Sequence, residues 1–293
     1  MIVVDTSSIF YGSMHTHGLM EYNGQGTGII YGFFSQMMSW YKKFNDPSFC
    51  WAWDSSKSER IRIFPMYKYN RRHKEREPDE IELLNLCFPQ LHLLRKHIFP
   101  RIGVKNSFRQ VGYEADDVLA SIVYNNAFHP RPLMISGDED MFQCLNACSI
   151  YSPSKKIMIT QKSFVDEYGI NPRDWTMVKQ IGGCKTDEVP GVEGVGEKTA
   201  IEFIKGKLPS HYKKYDKIQA ATELIEFNHQ LVALPMAKTR VFKIGYQQLD
   251  IDELYDVFEE YRMERFLRNF RDWEDFIDDA NSEAMDQVQE LPF

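Results

Sequence analysis

The sequence has no run of about 18 apolar residues, so no membrane-spanning helix and no membrane partner are expected. It has no CxxC pair, and its five cysteines are an odd number. That usage argues for a reducing compartment and against a disulfide framework. Cys144 and Cys148 stand four apart, but no His or Cys partners complete a zinc pattern, so both are expected to be ordinary helix residues. The opening MIVVDTSS lacks the positive segment of a signal peptide. Low-complexity stretches and internal repeats are also missing. What is present is 293 residues, 43% hydrophobic and 26% charged, enough for one large or two modest globular domains.

An excess of positive charge is lacking too. The net charge is −7, which at first argues against a nucleic-acid partner. The distribution reverses that reading. From Lys57 to Arg76 eight basic residues face only Glu59 and Glu75, a local charge of +6. From Arg271 to Phe293 one basic residue faces eight acidic ones, a local charge of −7. A basic segment interleaved with aromatics on an acidic body is a candidate phosphate-binding element. The acidic end, weakly periodic, is expected to be a flexible tail.

Short apolar runs read as buried strands: Ile2-Val3-Val4, Phe49 to Trp53 and Leu133 to Gly137. Helical patterns lie between them over Gly28–Phe44, Ile81–Ile98 and Glu114–Tyr124, and this alternation predicts an α/β fold. Past residue 160 the pattern turns helical: 161–168, 172–181, a glycine-rich stretch from Gly191 to Ala200 that opens a helix to about Lys205, then 216–235 and 250–270.

The three strand candidates are each followed by an aspartate: Asp5, Asp54 and Asp138. In an open parallel sheet, sites form beyond the carboxyl ends of the strands. Asp140 follows Asp138 by two, Glu114, Asp116 and Asp117 begin a helix, and Asp187 lies in a later loop. A single such aspartate is more often a turn or helix cap. Six or more that converge repel by roughly 4 kcal/mol per pair at about 4 Å. Such a set must hold cations or shift its pKa values. Oxygen donors without His point to Mg²⁺ or Mn²⁺. Two such ions about 3.5–4 Å apart suit phosphodiester hydrolysis.

These motifs, in this order, resemble the flap endonuclease and 5′→3′ exonuclease family, which includes the 5′-nuclease domain of bacterial DNA polymerase I and phage ribonuclease H-type enzymes. The likeness runs from about residue 2 to 270. VVDTSSIFY carries Asp5, TGIIYGF follows, and WAWD carries Asp54. RIRIFPMYKYNRR (60–72) matches the arch motif, GYEADDVLAS supplies Glu114, Asp116 and Asp117, and ISGDEDMFQ supplies Asp138 and Asp140. DEVPGVEGVGEKTA supplies Asp187 and a hairpin. The resemblance implies a PIN-like parallel-sheet nuclease core over 1–180, a helical arch over about 57–98, a helix-hairpin-helix and C-terminal helical region over 181–270, and the tail 271–293. It implies metal ligands at the eight acidic positions named, and Lys68 and Arg71 as catalytic cations at the scissile phosphate. Two departures stand out. Cys184 sits where the family has a second aspartate before Asp187, which leaves the second ion in doubt and the first secure beside Asp138. Gly12 sits where relatives often carry arginine.

For DNA contact, Arg60 and Arg72 suit phosphates and Tyr67 a stacked base. Leu83, Leu84, Leu91 and Leu94 read instead as a packed helix face. Gly191, Gly194 and Gly196, with Lys198 and Thr199 at a helix start, suit backbone contact with duplex DNA, and the family hairpin often holds K⁺. A Walker A loop fails because glycine and Lys-Thr are not contiguous there. Gln289–Phe293 loosely resembles peptides that bind a sliding clamp. The expectation is a monomeric cytoplasmic enzyme (host cytoplasm if of phage origin), with no polymerase region following. It would cut DNA at 5′ ends, flaps or duplex junctions, and RNA primers in RNA–DNA hybrids. The rivals are a PIN-type ribonuclease, disfavoured by the arch and hairpin motifs, and a non-catalytic junction-binding relic.

Overall fold

The computed structural model describes residues 1–126 and 130–289, with side chains to residue 282. The chain divides into two compact units. One comprises Met1–Ala52, Arg76–Phe108 and Ile244–Phe293, and the other Trp53–Glu75 and Arg109–Lys243. The fold is α/β, and its strand pairs are mostly parallel.

In the first unit the strand Ile2–Asp5 pairs in parallel with Phe49–Trp53, Val3 opposite Cys50 and Val4 opposite Trp51. Ile2, Val3 and Val4 are fully buried. This is why the strand reads as an unbroken apolar run rather than an alternation. The helices Thr6–His17 and Gly28–Phe44 cross closely, and a Cβ on Gly32 would fall 2.1 Å from Ser13 Oγ. Thr27 gives the second helix no side-chain cap. Gln90, buried on the helix Pro78–Leu93, replaces it: its Oε1 accepts from the backbone of Ile29 (2.8 Å) and Ile30 (3.4 Å). Two of the four N–H groups that a helix start leaves unpaired are thereby satisfied. Leu84 and Leu94 are buried, as a packed helix face requires.

The second unit pairs Leu133–Ile135 in parallel with Ser149–Ser152, which runs antiparallel to Ile157–Ile159. Its helices include Ala115–Asn125, Trp175–Gly182, Glu197–Ile204 and Thr222–Val232. Phe142, Phe164 and Tyr168 ring the buried indole of Trp175 at 5.0–5.5 Å between centroids. Cys144 and Cys148 are buried, the Cys148 thiol donating to the Cys144 carbonyl at 3.3 Å. Cys144 lies on a 3-10 turn, Glu139–Cys144, and Cys148 lies outside any helix, so the expected helix placement is only approximated.

The units do not follow the expected division at residue 180. The basic segment through Glu75 belongs to the second unit and the helix Pro78–Leu93 to the first. The expected flexible tail is a helix, Arg271–Gln289. Trp273, Phe276, Ile277 and Ala280 are buried at helical spacing. The Trp273 ring lies 5.0 Å from Phe258 and 5.8 Å from Phe34. The acidic residues Asp272, Glu274, Asp275, Asp278 and Asp279 interleave with this stripe and mask it in a charge count. The clamp-like peptide ends in residues outside those described.

Trp273→Ala is expected to cost about 3–5 kcal/mol in urea denaturation, as for other fully buried large aromatics. A loss under about 1 kcal/mol would mean that the acidic helix contributes little to the first unit.

Candidate metal centre

The second unit collects most of the expected site residues. Glu114 and Asp117 form a reciprocal capping box at the start of Ala115–Asn125. Asp54 adds to it, its Oδ1 accepting from Ala115 N at 2.8 Å. Carboxylates are favoured at this end by the helix dipole. Asp138 likewise caps the turn Glu139–Cys144, its Oδ1 accepting from Asp140 N at 2.8 Å. Asp5, in the first unit, caps Thr6–His17 through Ser7 N at 2.9 Å.

Not all of these groups are free to hold a metal. Asp117 is fully buried and accepts two short bonds from Arg60, Nη1 to Oδ2 at 2.6 Å and Nη2 to Oδ1 at 2.7 Å. It also accepts from the backbone of Glu114 (3.1 Å) and Met236 (2.9 Å). Arg60 is itself buried and donates through Nε to the Leu231 carbonyl. Against expectation, Asp117 is therefore a structural anchor rather than a ligand, and Arg60 its counter-ion rather than a phosphate contact. Tyr67 is corrected as well. Its ring is buried, and its hydroxyl lies 3.0 Å from Glu114 Oε2 and 3.1 Å from Asp187 Oδ2. It cannot stack on a base from there. Arg72 is exposed, but its guanidinium donates to the carbonyls of Tyr67 and Pro65. Arg71 is exposed.

Lys68 stands inside the acidic group. Its Nζ is 2.9 Å from Glu114 Oε2 and 3.8 Å from Asp187 Oδ2. Its backbone, in the left-handed region at φ 51°, donates to the Asp187 carbonyl. Burial alone would lower the lysine pKa, but Glu114, Asp187 and Asp116 raise it, so the ammonium stays charged. Burial would raise Glu114, but Lys68 and Arg60 hold it below the usual carboxylate range. Asp138 is exposed, yet the surrounding protein desolvates it and the Asp140 charge adds to the effect, so its pKa is raised. Asp187 is raised by burial, opposed by Lys68 and reinforced by Glu114 and Asp140.

Among the described residues, Asp140, Cys184 and Asp187 bring their ligand atoms within 4.8 Å of one another. Lys179, which sequence reasoning missed, sits beside it with Nζ 3.0 Å from Asp140 Oδ1. Its signal was one cation in the otherwise apolar or neutral helix Trp175–Gly182, five residues before Cys184. Gly191 is also corrected. A Cβ there would lie 2.3 Å from the Gly182 carbonyl oxygen, so its smallness serves an internal contact and not a ligand. Gly194 (φ 75°) and Gly196, at the start of Glu197–Ile204, face open space, with Lys198 exposed and Thr199 half-buried behind them. Gly12 also faces open space.

Comparison with known proteins now decides the family. Residues 1–169 match the model of the 5′-3′ exonuclease N-terminal, resolvase-like domain. The chain belongs to the 5′-3′ exonuclease family. A 5′-3′ exonuclease of Buchnera aphidicola subsp. Schizaphis graminum is 30% identical over 227 residues, 75% of each chain. DNA polymerase I of Pseudomonas aeruginosa is 28% identical over 97% of this chain, which spans 32% of that protein. Among solved structures, the T5 D15 protein co-crystallised with metal ions aligns with TM-score 0.69 at 21% identity, over 95% of this chain and 98% of its own. A T5 5′-exonuclease with bound zinc aligns with TM-score 0.66 at 22% identity, over 80% and 89%. These two share the fold with this exonuclease-family chain.

Two outcomes follow from the geometry. Arg60→Met should cost about 3–5 kcal/mol, because Asp117 is left as an unpaired buried charge. A combined Arg60→Met, Asp117→Leu chain should recover most of that loss in thermal denaturation. If the single substitution is neutral, the pair is not an anchor. The second concerns pH. Asp138 and Asp187, raised above the ordinary 3.8, add stability that is full below that value and lost as pH rises through their folded pKa values. Glu114, held low, adds stability present above its ordinary 4.5 and lost as pH falls through its folded value. A divalent ion offsets the first effect. The rise in Tm on adding Mn²⁺ to chelator-treated protein should therefore grow as pH is raised from the aspartate range to neutrality. An increment independent of pH would contradict this.

Proposed function

We propose that this family member is a structure-specific 5′-nuclease, dependent on Mg²⁺ or Mn²⁺, that hydrolyses phosphodiester bonds of DNA at 5′ ends, flaps and duplex junctions. RNA in RNA–DNA hybrids is a further candidate substrate. The observation that carries the reading is Lys68, a charged ammonium held 2.9 Å from Glu114 and 3.8 Å from Asp187 within a group of carboxylates. Fixed positive charge among ion-binding acids is what a phosphoryl transition state needs.

Asp54, Glu114, Asp116 and Asp138 are the candidate ligands by donor type, since carboxylate oxygens suit a hard divalent ion. When bound, such an ion polarises a phosphate oxygen and makes water acidic enough to attack phosphorus at neutral pH. The role of Asp5 rests on the family pattern. Lys68 and Arg71 would bind the non-bridging oxygens of the scissile phosphate. The Tyr67 hydroxyl, shared between Glu114 and Asp187, fixes the orientation of both carboxylates. Asp117 and Arg60 hold the helix start that carries Glu114 and Asp116, and the Arg60 charge also helps keep Glu114 ionised. Gly194, Gly196, Lys198 and Thr199 are candidates for backbone contact with duplex DNA, with K⁺ a candidate ion there, and the segment around 57–98 for passage of a single strand. A clamp contact through Gln289–Phe293, a monomeric state and an intracellular location remain part of the proposal.

The test is cleavage of 5′-flap, nicked and RNA–DNA hybrid substrates with and without Mg²⁺. Lys68→Ala should lower kcat by about 10²–10³-fold, the scale for one lost transition-state charge contact, with little change in fold. Asp138→Ala should abolish cleavage. Full activity in Asp138→Ala would sink the mechanism, and binding without cleavage in either ion would favour the non-catalytic relic.

A further inference from the structure

Magnesium ions are bound by hard oxygen donors and keep near-ideal octahedral geometry. The Asp140, Cys184 and Asp187 group does not fit that chemistry, because one of its three donors is sulfur. We infer that this group is a position for a thiophilic divalent ion, of the Zn²⁺ or Co²⁺ class, and not for Mg²⁺. The inference takes its location from the metal-dependent reading above.

Charge argues the same way as donor type. Asp140 gives one oxygen to Lys179 at 3.0 Å, leaving Oδ2. Asp187 has Oδ2 near both Tyr67 and Lys68, leaving Oδ1. With the thiol protonated, Cys184 adds no third negative donor to Asp140 and Asp187, which already face the ammonium groups of Lys179 and Lys68. A thiophilic ion changes that balance. As the metal–sulfur bond forms, the S–H bond breaks and its proton leaves to solvent. The sulfur then supplies the negative charge that the missing aspartate would have carried. The donor atoms lie within 4.8 Å of one another, and ligands about 2.0–2.3 Å from one zinc ion lie closer than that, so the group draws together on binding.

The backbone holds these donors in place. Cys184 and Val189 exchange both backbone hydrogen bonds, at 3.0 and 2.9 Å, and Asp187 N donates to the Cys184 carbonyl. Gly183 (φ 72°) lies against Gly191, where a Cβ would come 2.4 Å from its nitrogen. The bland alternative is a thiol that only packs, since Cys184 also belongs to a small core with Tyr67, Val189 and Leu231. Its Sγ nonetheless lies 3.1 Å from Thr186 Oγ1 and within the donor group, on the polar side of that core.

The experiment is a Co²⁺ titration of chelator-treated full-length protein, read by absorption. The native chain should develop a sulfur-to-cobalt charge-transfer band. Cys184→Ser should lose it, and so should Cys184→Asp. The aspartate variant should instead bind Mg²⁺ more tightly in calorimetry, by at least about tenfold, the scale on which changes around a metal act. No band in the native chain, or a band that persists in both variants, would overturn the inference. So would a Cys184→Asp chain whose Mg²⁺ affinity is unchanged. None of these readouts needs cleavage, so loss of the nuclease reading and loss of this one are separable.

Discussion

Carboxylates brought together repel, and the second unit is organised around that repulsion. At roughly 4 kcal/mol per close pair, several of them cannot share a site without fixed countercharge. The answer is one buried guanidinium and two ammonium groups, each committed to particular oxygens. Arg60 takes both oxygens of Asp117, Lys68 takes Glu114 and reaches Asp187, and Lys179 takes Asp140. The three cations come from different parts of the chain, so the acidic cluster ties distant segments of this unit together.

The cations differ in what they leave available. Arg60 and Asp117 satisfy each other and the backbone around them, and neither has surface to spare. Such a pair adds little net stability over an apolar one, yet breaking it is costly. It acts as a pin for the helix start that carries Glu114 and Asp116. Lys68 and Lys179 are less buried and each faces more than one acid. They can be shared with a phosphate or an incoming ion, because no one partner saturates three ammonium donors.

How far this was legible in the sequence depends on what kind of signal each residue gives. Strands followed by Asp5, Asp54 and Asp138 were readable because unbroken apolar runs and polar stops are local. Glu114 and Asp116 were readable as a helix start for the same reason. Asp117 reads as a ligand in sequence because its partner, Arg60, lies 57 residues away, and a one-dimensional pattern cannot tell a ligand from an anchor. The same limit applies to Arg60 and Tyr67: a basic, aromatic segment reads as surface, yet two of its members turn inward. The terminal helix was masked by composition. Its apolar stripe, Trp273, Phe276, Ile277 and Ala280, has the helical period, but the four acids between them and Asp272 beside them dominate any charge count. Lys179 was passed over because a lone lysine in a helix carries no local mark of its partner.

Cys184 shows where sequence and structure each stop short alone. The sequence gives the substitution but not its surroundings. The structure gives the surroundings: a loop closed by two backbone hydrogen bonds and by glycines in contact. A flexible loop could answer the lost carboxylate by moving a neighbour, and ion preference would then be little changed. A loop pinned through its backbone has less freedom to do so. The side chain at 184 then weighs most on which class of ion the proposed site would take.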